Sequence, residues 1–268
     1  MHPMSRDELR ANLVDSGIAG EVATPRENNL SSFQRMSSRD PRYLFGLEPK
    51  GTWSPADVLT LMTDRCGVSP DPDHRYGQDT IDPDRTIARL DALAERLHQA
   101  ARRQERVFVA TGHPVGLWPT HAAIAESLCI AGCTLMTPTI EWQQPDNPAY
   151  GQHHGVIGYR QKVGVLIGVS GRLLHTHSPL PMQEVLSHLS ARGESAPNLV
   201  VADHGWAGAA GEAGLDVVGF ADCNDPALFV GEAEGRVQVS VPLDDNVAPE
   251  LYAPLTLYLL NRAGLSCA

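Results

Sequence analysis

Short apolar runs alternate with helical patterns along the last two thirds of the chain. Uninterrupted apolar strands separated by helices are typical of a mainly parallel sheet whose two faces are both covered. We therefore predict an α/β fold with a mainly parallel, doubly wound sheet and helices on both faces. The predicted strands are 107–110, 134–136, 162–169, 173–175, 199–202, 216–221 and 237–241. The predicted helices in this part are about twenty residues from Asp82, then 120–131, 179–191, 209–213 and 249–263, with a long loop at 141–158.

The first 80 residues differ in composition: they are polar and interrupted by proline. Helices are predicted only at 6–16 and 54–66. The second begins with Ser54-Pro55, a helix-capping residue followed by proline at the first helical position, and Gly67 fits its end. We predict a helical and loop extension or lid over residues 1–80, and an α/β catalytic domain over residues 81–268.

The charge and composition narrow the choice of partners. The chain of 268 residues has a formal net charge of -11, which disfavours nucleic acid polymers and anionic membranes as partners. It shows no signal peptide and no apolar segment long enough to span a membrane. Its five cysteines form no CxxC pair, as expected for reduced thiols, so we expect a cytoplasmic protein.

Histidine and aspartate side chains follow five of the predicted strands. The clusters are His113, His175 with His177, Asp203-His204, Asp222 with Asp225, and Asp244-Asp245. In an open parallel sheet, ligands bind outside the carboxyl ends of the strands. The five clusters should therefore converge on one rim if their strands are parallel.

A mixture of imidazole and carboxylate ligands favours one or two divalent ions of Zn, Mn or Fe, with Mg as an alternative. The predicted metal ligands are His113, His175, His177, Asp203, His204, Asp222 and Asp245. Asp203 and His204 are also the candidate catalytic residues, because one could bind metal while the other handles a proton. Structural roles stay open: Asp225-Pro226 also fits a turn, and Asp244-Asp245 also fits the N-cap of the last helix.

The turn Thr111-Gly112 lies between a strand and a helix, where backbone N–H groups favour an anion. We predict that Thr111 and Gly112 bind phosphate, helped by Arg26, Arg39 and Arg65 from the N-terminal part. The turn lacks the ending of a Walker A loop, the glycine spacing does not fit GxGxxG, and no GxSxG elbow is present. Nucleotide-cofactor and serine-hydrolase functions are therefore disfavoured.

Several segments resemble a family of actinobacterial metal-dependent phosphatases. They read ATGHPVGL, HTHSPLP, VVADHGW, ADCNDPALFVGEAEGRVQVSVPLDD and PLTLYLLNRAGL. The family includes the phosphatases of gene clusters for peptidyl nucleoside antibiotics of the polyoxin and nikkomycin type. The resemblance implies metal-dependent hydrolysis of a small phosphomonoester, with the 2′-phosphate of a nucleoside antibiotic intermediate as one candidate substrate.

The segment TIEWQQPDNPAYGQHHG departs from the family pattern, and we expect it, including His153-His154, to influence substrate choice. Two other functions remain open. One is a metal-free domain that binds or isomerises a phosphosugar, and the other is a non-catalytic sensor of metal or nucleotide. The sequence makes no prediction about oligomeric state.

Overall fold

A computed structural model describes residues 4–143 and 155–266. These residues form nine α-helices and ten strands. The helices are α1 (Arg6–Asp15), α2 (Arg26–Ser37), α3 (Pro55–Cys66), α4 (Pro83–Arg103), α5 (Pro114–Ile130), α6 (Leu180–Ala191), α7 (His204–Glu212), α8 (Pro226–Ala233) and α9 (Ala253–Arg262), with 3-10 turns at Pro41–Tyr43 and Pro249–Tyr252. The strands are β1 (Gly20–Pro25), β2 (Gln78–Ile81), β3 (Arg106–Ala110), β4 (Thr134–Leu135), β5 (Gly155–Arg160), β6 (Val163–Gly168), β7 (Leu173–Leu174), β8 (Leu199–Val201), β9 (Val217–Ala221) and β10 (Val239–Pro242).

The main sheet is mixed, with mostly parallel strands. Its order is β10-β9-β8-β3-β6-β5, and only β5 is antiparallel along this path. Strand β4 adds to β3 in parallel, and β7 adds to β6 in antiparallel. The predicted α/β class is thus confirmed, whereas the doubly wound layering stays a prediction. Strands β8, β9 and β10 are buried at every residue, as their uninterrupted apolar sequences predict.

Two groups of helices pack around this sheet. Helices α4, α5 and α9 contact one another, and α4 and α5 also contact the sheet. Helices α7 and α8 contact each other and β9, and α6 packs against α7. In the parts of the chain at 4–143 and 155–266, no helix combines the length and hydrophobicity needed to cross a membrane.

Some elements differ from the sequence prediction. Helices α2 and α8 and strands β1 and β2 were not predicted, and β5 begins within the predicted loop 141–158. Helix α7 begins at His204, whereas the sequence predicted a helix only from residue 209. The first half was missed because the glycines of α7 disfavour helix. One of them, Gly208, is required by packing: a Cβ there would lie 2.1 Å from the carbonyl oxygen of Phe45.

The N-terminal 80 residues pack closely on the rest of the chain. Helix α1 contacts α4 and α9, while α2 and α3 contact α8. Strands β1 and β2 form a separate antiparallel pair. The boundary at residue 80, and the lid role of the segment before it, stay predictions.

Arg26 is fully buried at the start of α2, and its guanidinium donates hydrogen bonds to the segment 71–79. Its Nη1 donates to Asp79 Oδ2 over 2.7 Å, its Nε to the His74 carbonyl over 2.9 Å, and its Nη2 to the Asp71 carbonyl over 3.0 Å. These bonds hold the loop 71–77 and the start of β2 against α2. Arg26 thus uses three of its N–H groups within the chain, and its binding of phosphate stays a prediction.

We expect Arg26→Ala to lower the free energy of unfolding by about 3–5 kcal/mol, because it leaves Asp79 buried without its cation. Chemical denaturation measures this change. Arg39→Ala is the control: Arg39 is half exposed, and its loss should cost less than about 1 kcal/mol. The structural role would be contradicted if Arg26→Ala were as stable as the wild type and instead had a raised KM for a phosphorylated substrate.

Candidate metal centre

A cavity of about 340 Å³ opens at the carboxyl ends of the parallel strands. Its walls are formed mainly by imidazole and carboxylate groups. They are His113, His175, His177, His204, Asp222, Asp225, Asp244 and Asp245. Thr24 and three asparagines, Asn28, Asn224 and Asn246, line the rest of its polar surface. The five predicted clusters therefore do meet at one rim.

Four of the clusters follow parallel strands. His113 comes after β3, Asp203-His204 after β8, the pair Asp222 and Asp225 after β9, and Asp244-Asp245 after β10. Because these strands run in the same direction, their carboxyl ends deliver the side chains to the same edge.

The fifth cluster reaches the rim by a different route. His175 and His177 follow β7, which is antiparallel to β6, so the assumption of a parallel strand is wrong here. Ala110, the last residue of β3, pairs with Gly164, and β6 continues four residues further, to Gly168. The chain then turns back through β7, and the Thr176 N–H donates to the Gly112 carbonyl over 2.8 Å.

The four imidazole rings lie close together. His113 and His175 have ring centroids 4.5 Å apart, and His177 and His204 have centroids 4.8 Å apart. The Nε2 atoms of His175 and His177 are separated by 3.1 Å. Burial and the neighbouring imidazoles lower the pKa of His177 to about 2. Neutral imidazole is the form that binds a metal.

His204 joins the imidazole side of the cavity to the carboxylate side. It begins α7 with φ at 46°, a left-handed conformation that is uncommon for a residue other than glycine. Its Nδ1 lies 2.9 Å from Asp203 Oδ1, so Nδ1 carries the proton that this carboxylate accepts. The Nε2 atom faces Asp225 Oδ2 at 3.4 Å and Asp245 Oδ2 at 3.5 Å.

Asp203 lies beneath the cavity rather than in its wall. Its carboxylate is fully buried and accepts hydrogen bonds from the Thr111 hydroxyl, the Gly112 N–H and His204. Burial raises the pKa of a carboxyl group, but these bonds and the nearby imidazoles outweigh it and hold the pKa of Asp203 well below its ordinary value. Asp203 therefore orients His204, and the structure does not bring it into the cavity as a ligand.

The hydrogen bonds to Asp203 also bear on the predicted role of the turn Thr111-Gly112, which follows β3. Thr111 and Gly112 were predicted to bind phosphate, but the Thr111 hydroxyl and the Gly112 N–H both donate to Asp203. Neither residue lines the cavity. Gly112 serves close packing instead, because a Cβ there would lie 2.4 Å from the Thr176 carbonyl oxygen.

Two of the four cavity aspartates are held by hydrogen bonds from the chain. Asp222 accepts from the Thr24 hydroxyl over 2.7 Å and from the Cys223 N–H over 2.6 Å. Asp244 accepts from the N–H groups of Ala23 and Asn246. Strand β1, in the N-terminal part of the chain, thus positions both carboxylates.

The other two aspartates are less well bonded. Asp245 Oδ2 is buried and has no hydrogen-bond partner among the described residues, and Asp225 faces His204. Burial raises the pKa of Asp225 to about 7 despite the charge of His204, and burial also raises the pKa of Asp245. Burial and the neighbouring carboxylates raise the pKa of Asp222 well above its ordinary value. A cation between these groups would relieve their repulsion.

Three overlapping sets of side chains have the geometry of a metal site, with ligand atoms within 4.8 Å of one another. They are His175–His177–His204, His204–Asp225–Asp245 and Asp222–Asp244–Asp245. His204 and Asp245 each belong to two sets. The buried Asp245 Oδ2 and His113 Nδ1 atoms, which lack hydrogen-bond partners within the described residues, also fit a cation. The residues present therefore suit one or two divalent ions.

Four helices begin at this cavity. Helices α2, α5, α7 and α8 start beside Pro25, His113, His204 and Asp225, and none of these four described N-termini has a side-chain cap. Uncapped N–H groups at a helix start carry partial positive charge and attract anions. The helix starts therefore favour both the buried carboxylates and a bound phosphate.

Arg39 and Arg65, like Arg26, are not brought to the cavity. Arg39 contacts the Pro49 carbonyl at 2.8 Å and Glu48 at 3.6 Å, and Arg65 pairs with Glu232 at 3.0 Å. Within the described chain, no arginine or lysine lines the cavity. His153-His154 lies outside the described residues.

Asp225 and Asp244 are cavity residues that the sequence prediction left with a turn or capping role. Asp225 does occupy the N-cap position of α8, but its side chain makes no capping bond. Thr24 was missed entirely, because nothing in its local sequence links it to Asp222, 198 residues further along the chain.

We expect the metal-free protein to lose stability as the pH rises from 7 to 9. Burial lowers the pKa of His204, but the aspartates, Asp225 first, outweigh it and raise that pKa to about 10. His204 thus holds a proton in the folded state that the unfolded state releases, so stability falls as pH rises through this window. The lowered pKa of His177 acts in the opposite direction, but only below its ordinary pKa of 6.5. Thermal unfolding at each pH measures the trend. Asp225→Asn should flatten it, because it removes the carboxylate that raises the pKa of His204 most, and an unchanged slope would contradict the assignment.

Comparison with known proteins identifies the family to which the chain belongs. Residues 4–267 match the protein family described as Phosphatase. A Streptomyces coelicolor protein named Phosphatase SCO2771 is 49% identical over 263 residues, which cover 97% of each chain. The match extends over every element that lines the cavity. The chain therefore belongs to the Phosphatase family.

Proposed function

We propose that the chain is a metal-dependent phosphatase that hydrolyses a small phosphomonoester in the cavity described above. The observation that carries this proposal is the set of three overlapping His and Asp triads, in which buried carboxylates face no lysine or arginine of the described chain. Buried carboxylates without a cation are costly. A phosphate-binding cavity lined by acids also needs a cation between the protein and its substrate.

When bound, a divalent cation supplies positive charge for the phosphate oxygens and acidifies a water molecule. We assign its binding to His175, His177, His204, Asp225 and Asp245. Asp222 and Asp244 complete the all-carboxylate side of the cavity. Zn, Mn or Fe suits the imidazole-rich side, and Mg is an alternative on the all-carboxylate side. His204 has only Nε2 free and could hold one ion, whereas the two oxygens of Asp245 could serve both triads to which it belongs, which suits two ions better than one.

The remaining side chains divide the other tasks. Asp203 holds the Nδ1 proton of His204, which leaves His204 Nε2 facing the cavity. Among the four imidazoles in the described cavity wall, only His113 falls outside the triads. Its Nδ1 lies 3.7 Å from Asp245 Oδ1. We assign His113, which lies beside Asp245 without a hydrogen bond to it, to protonate the leaving alkoxide.

The cavity wall also suggests the substrate class. Asn28, Asn224 and Asn246 offer uncharged amides that can bond to hydroxyl groups. A phosphorylated sugar or nucleoside with a single phosphate matches this wall, and the 2′-phosphate of a nucleoside antibiotic intermediate belongs to that class. The metal-free isomerase alternative loses its support, since the Thr111 and Gly112 donors are already used by Asp203.

Removal of metal should abolish hydrolysis of p-nitrophenyl phosphate, and added Zn²⁺ or Mn²⁺ should restore it. Asp245→Asn should lower kcat/KM by about a hundredfold, because it removes a charge shared by two triads. Asp216→Asn is the matched control, since Asp216 is half exposed and pairs with Arg96 away from the cavity. Equal activity of metal-free and metal-loaded enzyme would refute the proposal and favour the metal-free alternative.

A second phosphate on the substrate should be disfavoured. We expect kcat/KM for fructose 6-phosphate to exceed that for fructose 1,6-bisphosphate by at least roughly tenfold, because the described cavity wall offers the extra phosphate no arginine or lysine. Asn28→Arg should narrow this ratio, and Asn28→Gln should not. The assignment of substrate class is wrong if the bisphosphate is hydrolysed as well as the monophosphate.

A further inference from the structure

A turn of the N-terminal segment lies against the imidazole side of the cavity. The Leu47 N–H donates to the Leu44 carbonyl over 2.9 Å, which closes a turn around Phe45 and Gly46. Both central residues are left-handed, with φ at 54° for Phe45 and 85° for Gly46. Such turns normally carry Asn or Gly, because a bulky side chain is unfavourable at positive φ. Phe45 is therefore a strained choice for this position.

The ring of Phe45 is buried against two of the imidazoles. Phe45 is 1% exposed, and its ring centroid lies 5.0 Å from that of His177, edge to face at 77°. It lies 5.4 Å from the centroid of His204. Aromatic rings at these separations attract each other, so the phenyl ring restricts how both imidazoles can turn.

The backbone of the turn packs against the two segments that carry these histidines. A Cβ on Gly46 would lie 2.5 Å from Pro179 Cβ, and Pro179 follows His177 by two residues. A Cβ on Gly208 would lie 2.1 Å from the Phe45 carbonyl oxygen, and Gly208 is one helical turn after His204. The turn is thus fixed from both sides, and these contacts hold Phe45 in its strained conformation.

We propose that Phe45 is a positioning residue that fixes the rings of His177 and His204 for metal binding and keeps water away from them. The proposal rests on the metal-dependent function proposed above. It explains why a phenylalanine occupies a position suited to asparagine or glycine: the ring is needed against the histidines. It also gives the N-terminal segment a second role at the site, besides the bonds of β1 to Asp222 and Asp244.

Phe45→Leu and Phe45→Met test this by removing the aromatic ring while keeping most of its volume. Phe33→Leu is the matched control, because Phe33 is equally buried in the same N-terminal segment and makes no contact with the cavity histidines among the described ring contacts. The readouts are the Zn²⁺ dissociation constant, from competition with a chromophoric chelator, the visible spectrum of the Co²⁺-loaded protein, and Tm.

We expect both Phe45 variants to weaken Zn²⁺ binding by about tenfold or more and to alter the Co²⁺ spectrum. Phe33→Leu should lower Tm while leaving the Zn²⁺ constant and the spectrum as in wild type. The proposal is overturned if the Phe45 variants lose only Tm, as Phe33→Leu does, while the metal-dependent function stands. Absence of Zn²⁺ and Co²⁺ binding by the wild-type protein would instead overturn both.

Discussion

Repulsion among four buried aspartates is the constraint around which the cavity is organised. Asp222, Asp225, Asp244 and Asp245 lie at the carboxyl ends of β9 and β10, which are neighbours in the sheet. Carboxylates brought this close in a buried setting resist ionisation unless positive charge faces them. The described chain provides that charge through His204 and through the starts of four helices, but through no arginine or lysine of the cavity wall. The divalent cation that we propose would supply the positive charge that these carboxylates face.

Close backbone contacts set the spacing between the segments that carry the cavity histidines and aspartates. A Cβ on Gly116, in the first turn of α5, would lie 2.4 Å from the Asp245 carbonyl oxygen, and one on Gly112 would meet the Thr176 carbonyl at the same distance. A Cβ on Gly205, next to His204, would lie 2.2 Å from the Ser178 carbonyl oxygen. Because glycine alone permits these approaches, the distances between imidazoles and carboxylates are fixed by main chain rather than by flexible side chains.

The sequence was sufficient to predict the α/β class and the edge of the sheet where His and Asp gather. Both depend on periodicity and on chain direction, which are local properties. The sequence was not sufficient to tell which aspartates face the cavity. Asp203 looks like a ligand beside His204 but is used by the Gly112 N–H and the Thr111 hydroxyl, whereas Asp225 looks like a turn residue but faces the cavity.

The arginines illustrate the same limit. Arg26 follows Pro25, which lines the cavity, yet its guanidinium is bonded to Asp79 across 53 residues of sequence. The strained turn at Phe45 and the bond from Thr24 to Asp222 also join parts of the chain that are distant in sequence. Such pairings arise only when the chain is folded, so no local pattern predicts them.

Anomalous X-ray diffraction from crystals grown with Zn²⁺ or Mn²⁺ tests the central claim most directly, because it locates the metal without depending on any substrate. The account predicts anomalous peaks within about 2.0–2.2 Å of His204 Nε2 and of a carboxylate oxygen of Asp245. Peaks confined to the protein surface, or a cavity with none at saturating metal, would contradict it.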